Sequence, residues 1–299
     1  MLSVTPGESR IRETLVEYFP HTLCTGGVAV LLKGKRALIM GVANKRSLAW
    51  GISTAFRREG AELAFTYLND RLKENLDELL DGIGGRDAFP TYPCDVQSDD
   101  QLESCFAALG DRWGRLDVLV HSIAFADRED LSRPFHEISR KGYALTLDVS
   151  AYSLIACARR AAPLMTDARQ DGGGGGSIFT LTYNAVERVV SGYNVMAVAK
   201  AALETSVRYL AAELGPRQIR VNAISAGPMK TLASSAVKGI SKLRDLTEEI
   251  SPLRRNITQE EVGDVAVFLA SDLSRAVTGN TIFVDSGFHV IGVPSIQQE

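Results

Sequence analysis

The chain has no apolar run long enough to span a bilayer, which excludes a helical membrane protein. It has no excess of one charge either. Its 33 Lys and Arg stand against 36 Asp and Glu, a formal net charge of -3 at pH 7, so no electrostatic argument draws it to nucleic acid. Its four cysteines, Cys24, Cys94, Cys105 and Cys157, lack metal-type spacing, and Cys94 and Cys157 sit in apolar runs. Reduced thiols in a cytoplasmic protein are the simplest reading. The four histidines are scattered and form no ligand cluster, so no metal site is expected; His121, just after a strand, reads as structural or ribose-side. There are no internal repeats. The first 27 residues carry Glu8, Glu13 and Glu17 and no basic start, against a signal peptide; Met1 to Gly27 reads as an extension, poorly ordered or begun at too early a start site.

What is present is an alternation of apolar, β-prone runs with helical stretches. Lys35–Met40 reads as a first strand, Ala61–Tyr67 as a second, and Thr91–Val96 as the end of a third. Leu116–Ala124, Ser177–Thr182, Ile219–Ser225 and Thr281–Asp285 give four more. Near-continuous apolar strands separated by helices imply one α/β domain of Rossmann type: a doubly wound, seven-stranded parallel sheet with helices on both faces. Five glycines, Gly172 to Gly176, read as a flexible loop before the fifth strand.

The first strand runs into Gly41-Val42-Ala43-Asn44-Lys45-Arg46-Ser47-Leu48 and then a helix. Strand, glycine turn, helix is the geometry that aims a helix N-terminus at a pyrophosphate. Gly41 allows a tight exit from the strand, Ser47 is placed to cap the helix and donate to a phosphate, and Gly51 lets the helix pack close to the sheet. Neither G-x-G-x-x-G nor T-G-x-x-x-G-x-G is present, so this turn alone also fits a strand-to-helix connection without ligand. Asp95 is placed to accept from an adenine amino group. The second strand ends Tyr67-Leu68-Asn69-Asp70-Arg71. Leu68 is neither acid nor base, which leans toward NADH, while Arg71, Lys73, Lys45 and Arg46 keep NADPH as the alternative.

Downstream, Thr180-Leu181-Thr182-Tyr183 precedes Tyr193-Asn194-Val195-Met196-Ala197-Val198-Ala199-Lys200. Seven residues at about 100° each make two turns, so a helix carrying both would place Tyr193 and Lys200 on one face, roughly 10 Å apart along the axis. A phenol and an ammonium so placed can hold a cofactor ribose and a polarised carbonyl together. Tyr183 taken alone fits a packed core aromatic equally well.

Taken in order and spacing, Gly41-Val42-Ala43 with Ser47, Cys94-Asp95-Val96, His121-Ser122-Ile123-Ala124-Phe125, Tyr183 with Tyr193-x6-Lys200, and Ala226-Gly227-Pro228-Met229-Lys230-Thr231-Leu232-Ala233 resemble the bacterial NADH-dependent enoyl-acyl-carrier-protein reductases, divergent short-chain dehydrogenases. The resemblance runs from about Val28 to about Gly287. The Tyr-x3-Lys of the related ketoreductases is absent, since Met196 stands four before Lys200. The resemblance implies an enzyme of fatty acid elongation that reduces the trans-2 double bond of an enoyl thioester with NADH. It implies Tyr193, Lys200 and Tyr183 as catalytic. It places Gly41, Ser47, Leu48, Asp95, Val96, Ser122, Ile123, Ala124, Lys200, Ile224, Gly227, Met229 and Thr231 along the cofactor. Ala124, Phe125, Tyr183, Tyr193, Val237 and Ile240 would line the space for substrate or inhibitor.

Leu232 to Leu246 reads as a mobile substrate lid, with Val237, Ile240 and Leu243 on one helical stripe. Lys238 and Lys242 form an i,i+4 basic pair, a solvated face or, as the resemblance suggests, a dock for an acidic acyl carrier protein. A homotetramer is implied as well. Ala124 stands where many family members carry glycine, and its methyl group would lower sensitivity to diphenyl-ether inhibitors such as triclosan. Two other readings fit parts of the pattern: a short-chain ketone or alcohol dehydrogenase, and a catalytically silent nucleotide-binding regulator.

Overall fold

A computed structural model describes residues 30–166, 175–231 and 239–293. Seven strands form one sheet in the order β3-β2-β1-β4-β5-β6-β7, and every neighbouring pair is parallel. They are β1 (Arg36–Met40), β2 (Glu62–Tyr67), β3 (Thr91–Pro93), β4 (Val118–His121), β5 (Gly176–Thr182), β6 (Ile219–Ala226) and β7 (Thr281–Val284). All seven expected strands are there, each within a few residues of its expected span. The largest differences are at β3 and β4. Cys94–Val96 and Ser122–Ala124 lie beyond the strand ends, in the loops that face a ligand in this architecture. Gly176 belongs to β5, not to the glycine loop; a Cβ there would lie 2.5 Å from Met165 Sδ.

The apolar strands are buried on both faces, and alternate residues go to opposite cores. Leu38 and Met40 of β1 join Leu119, Ile178 and Val221 in one cluster. Ala37 and Ile39 join Leu63, Phe65, Val120 and Phe179 in the other. The first cluster is roofed by α3 (Asp99–Trp113), α6 (Ser153–Thr166) and α7 (Val195–Leu214). The second is roofed by α1 (Leu48–Arg58), α2 (Asp70–Asp81) and α9 (Gln259–Ala270). Three further helices complete the described set: α4 (Arg128–Ser132), α5 (Arg140–Leu147) and α8 (Ile240–Ile250). Between α5 and α6 the helix widens into a π-turn, Asp148–Tyr152. Among the described residues, no helix is long and apolar enough to cross a membrane. The expected extension, Met1 to Gly27, and residues 232–238 of the expected lid, Val237 and Lys238 among them, lie outside the described residues.

Local signals explain the helix boundaries. Asn69 accepts from Leu72 N–H at the start of α2, and Ser98 accepts from Gln101 N–H at the start of α3. Thr258 and Glu261 form a reciprocal capping box on α9.

Gly51 does not serve to bring α1 close to the sheet. It is where α1 meets α9: a Cβ at Gly51 would lie 2.7 Å from Gln259 Cβ, and one at Gly263 would lie 2.9 Å from Gly51 O. Each helix offers a glycine to the other, and only the Cβ atoms of Gln259 and Ala55 come as close as backbone at the crossing. The Gln259 amide then donates to Ser47 O at 2.7 Å and Lys45 O at 3.3 Å, so the same crossing braces the turn after β1. Gly51→Ala is expected to destabilise the fold by ~1–3 kcal/mol through overpacking. Denaturant unfolding of the variant against the wild type checks this, and an unchanged midpoint would contradict the interlock.

Candidate active site

Strand order reverses between β1 and β4, and the loops leaving these two strands open the crevice in which doubly wound sheets bind ligands. Gly41 leaves β1 with φ +92°, and a Cβ there would lie 2.0 Å from Ser122 O, beyond the end of β4. Only glycine fits this approach. Ser47 sits at the N-cap of α1 but makes no side-chain cap bond. Its Oγ instead accepts from Ala43 N–H at 3.0 Å and Asn44 N–H at 3.1 Å, upstream of the helix. The hydroxyl thus shapes the glycine turn from within and still has its proton to donate. Leu48 opens the helix, half-buried against the α1–α9 core.

Beyond β3, Asp95 Oδ1 accepts from Gln97 N–H at 3.0 Å, and its own N–H donates to Gln101 Oε1 at 2.8 Å; Val96 is buried in the core beneath. The loop after β4 is held by the π-turn. Ser150 Oγ donates to Phe125 O at 3.0 Å and accepts from Phe125 N–H at 2.9 Å, which fixes Phe125 with Ala124 just before it. Ala124 and Phe125 are exposed, while Ser122 and Ile123 are half-buried.

His121 is fully buried. Its Nδ1 lies 3.0 Å from Thr180 Oγ1 and its Nε2 lies 2.8 Å from Ser153 Oγ. Burial, with the Lys200 charge nearby, pushes it down to about 3, so the ring is neutral at physiological pH and one nitrogen donates while the other accepts. Its place is structural, tying β4 to β5 and α6.

The catalytic candidates converge at the end of β5. Lys200, on α7, is buried, and its Nζ donates to Leu181 O at 2.7 Å. Burial lowers its pKa to about 8 against the opposing pull of Glu204, one turn further along the helix. Glu204 is buried as well and accepts from Thr182 Oγ1 at 2.6 Å, with its pKa raised by burial. Tyr183 follows directly, and its ring lies 5.0 Å from that of Tyr193, tilted by 54°. Burial raises both phenols, Tyr183 up to about 12 and Tyr193 further. The Tyr183 hydroxyl is buried with no hydrogen-bond partner among the described residues, a donor awaiting an acceptor.

Tyr193 is not on the helix. α7 begins at Val195 behind Asn194, so the expected shared helix face of Tyr193 and Lys200 does not exist. Tyr193 sits in the preceding turn, packed with Leu131, Val195, Met196 and Ala199. The turn sets its direction, and the helical periodicity does not.

The other candidates divide into two groups. Gly227 donates to Val284 O at 2.8 Å and lies against Asp285, and Met229 packs on the α1–α9 core. Thr231 donates its backbone N–H to Met229 O at 3.0 Å. Ile224, by contrast, is fully buried within β6, a core side chain. Ile240 opens α8, and Lys242 on that helix is exposed. Sequence reading passed over Asn194, Thr182 and Glu204, Ser150 and Ser153, and Gln259. For Glu204 a signal existed, since it stands four residues after Lys200 on one helix.

The comparisons with known proteins point to one family. A family model described as Enoyl-(Acyl carrier protein) reductase matches residues 41–289. An enoyl-[acyl-carrier-protein] reductase [NADH] from Bacillus cereus is 50% identical over 262 residues, 88% of this chain and 99% of the relative. One from Nostoc sp. is 49% identical over 267 residues, again 88% and 99%. A Staphylococcus aureus relative, 47% identical over 87% of this chain and 98% of its own, is named for NADPH. The B. cereus reductase crystallised with NADP+ and indole naphthyridinone superposes with TM-score 0.83 at 50% identity, over 88% of this chain and 99% of that one. The chain belongs to the enoyl-acyl-carrier-protein reductase family.

Proposed function

We propose that this chain reduces the trans-2 double bond of enoyl-acyl-carrier-protein thioesters with NADH, in fatty acid elongation. The observation that carries the reading is the buried cluster at the end of β5: a Tyr183 phenol without a partner among the described residues, its ring tilted against that of Tyr193, beside a buried Lys200. The residues fit a dinucleotide. Gly41 lets the turn after β1 close against the Ser122 carbonyl at the crevice, and Ser47 retains a proton for a phosphate. Asp95, Ser122 and Ile123 border the crevice at the strand ends, over the buried Val96, with Gly227, Met229 and Thr231 on its β6 side. When bound, the reduced nicotinamide supplies a hydride for the β-carbon of the substrate.

The chain's own work is to manage the charge that then gathers on the thioester oxygen. Tyr193 donates its hydroxyl to that oxygen, and both phenols stay protonated across the working range because burial raises them. Tyr183 walls the pocket and offers a second donor. Lys200 has three N–H donors and uses one on Leu181 O, leaving two for ribose hydroxyls. Its buried positive charge also favours a negative thioester oxygen.

NADH is the favoured donor because Leu68, exposed after β2, is no partner for a 2′-phosphate. Of the basic residues nearby, Lys73 is paired with Asp77 at 2.6 Å, and Lys45, Arg46 and Arg71 are exposed. A homotetramer is what the family resemblance implies, and exposed apolar side chains such as Phe135, Tyr143, Tyr152 and Tyr209 are free to enter a subunit interface. Cytoplasmic placement is supported by Cys94, Cys105 and Cys157, which are free and buried.

Tyr193→Phe is expected to lower kcat by roughly 10²-fold or more while NADH still binds. Lys200→Ala should weaken cofactor binding as well as rate. A crotonyl-thioester assay with NADH and NADPH side by side measures both, and wild-type kcat in both variants would refute the assignment. Because the Lys200 ammonium is the form that holds the ribose, kcat/KM for NADH should fall as pH rises through about 8. A flat profile on the alkaline side would argue against that role.

Lys242, exposed on α8, and Lys238 are proposed to dock the acidic carrier. Replacing both with Glu should raise KM for the carrier-bound substrate and spare small coenzyme A thioesters, an effect that high salt mimics. Equal losses on both substrates would assign the lysines to the lid's own fold. Ala124, exposed beside the clamped Phe125, is proposed to crowd a flat aromatic inhibitor. Ala124→Gly should tighten triclosan binding by about tenfold, the equivalent of about 1.4 kcal/mol. Identical inhibition constants would remove the idea.

A further inference from the structure

The residue between Tyr193 and the first helical residue of α7 is an asparagine in a backbone conformation that asparagine seldom takes. Asn194 has φ +51° and ψ -128°. Positive φ is strained for a residue with a Cβ, and this ψ lies outside the left-handed helical well that asparagine tolerates. The residue also forgoes its ordinary use. At a helix N-cap, an asparagine side chain bonds the free amides of the first turn, but Asn194 makes no such bond.

Its amide is turned the other way. Nδ2 donates to Asp130 O at 2.7 Å, within α4, and to Arg133 O at 2.9 Å, just past its C-terminal end. The sequence explains why a donor is wanted there. The helical partner of the Asp130 carbonyl would be the N–H of residue 134, which is Pro134 and has none. The Asn194 amide supplies the missing donor and uses both of its hydrogens on this one turn. Leu131, in the middle of α4, packs in the small cluster that holds the Tyr193 ring. The short helix α4 therefore grips the Tyr193 turn twice, once through Leu131 and once through the amide of Asn194.

We infer that Asn194 is a positioning residue for the reductase: it pins the turn before α7 to the carbonyls of Asp130 and Arg133 and so aims the Tyr193 hydroxyl at the reacting thioester. The inference rests on the donor role proposed for Tyr193. No other residue type meets both demands. Glycine accepts the backbone angles but has no amide, and aspartate keeps the shape but presents acceptors to acceptors.

The test is a double-mutant cycle on the full chain with crotonyl thioester and NADH. Asn194→Gly should lower kcat on the order of tenfold and leave KM for NADH within about twofold, because Lys200 and the turn after β1 are untouched. In the Tyr193→Phe background the same change should cost no more than about twofold, since the hydroxyl it aims is already gone. Asn194→Asp carries the same comparison if the glycine variant does not fold. Wild-type kcat in the Asn194 variants would overturn the inference. So would equal losses in both backgrounds, the pattern of a general structural role. Full activity of Tyr193→Phe alone would overturn the donor assignment itself, and the inference with it, whatever the Asn194 variants do.

Discussion

An ammonium group held inside the protein is the constraint around which this structure is organised. Lys200 is buried, and water does not stabilise its charge. The Leu181 carbonyl accepts one proton, and Glu204, a turn away, offers opposite charge. Glu204 is buried in its turn and needs the Thr182 hydroxyl. Consecutive residues of β5 thus serve α7 one after another, and Tyr183 follows at the mouth of the site. The same charge helps keep His121 neutral, which lets it act as a plain hydrogen-bonding strut between Thr180 and Ser153. Lys200 and the scaffold beneath it are one network, so replacing the lysine disturbs a strand as well as the candidate site.

Much of the fold was legible because its signals are local and repeated. Buried parallel strands read as apolar runs, and seven of them were found where such runs stand. Strand ends were less legible. Val96 and Ile123 are apolar because they close the core just beyond the strand, so pattern alone extends the strands through them. The site was legible as a set of residues and poorly legible as geometry. Tyr193 and Lys200 have a spacing that fits a helix, yet the helix starts two residues after the tyrosine because Asn194 adopts positive φ. Ser191-Gly192, with Gly192 at φ +81°, marks a turn ahead of the tyrosine, but nothing local shows that it runs on through Asn194. Its cause is the Asp130 carbonyl left without a donor by Pro134, some sixty residues away.

Ser47 and Gly51 show the same limit in milder form. Their residue types suit the turn, and both lie on the expected element. The partners differ, because a serine at an N-cap can bond backward as well as forward, and a glycine shows only that something comes close. For Ser47 the something is its own turn; for Gly51 it is α9, more than two hundred residues later. Single-sequence reasoning identifies which positions are special, while the identity of the neighbour is a property of the whole fold.

The bond from Gln259 to the turn after β1 has a bearing on how the protein is made. Synthesis runs from the N-terminus, and α1 with its turn leaves the ribosome long before α9 exists. Until then Gly51 faces no partner, and the carbonyls of Lys45 and Ser47 lack the amide that holds them in the finished molecule. The nascent chain can assemble its first strands while the turn after β1 stays unbraced. The brace forms only when Gln259 has emerged, so a product truncated before it would carry the recognisable glycine turn without the bonds that hold it.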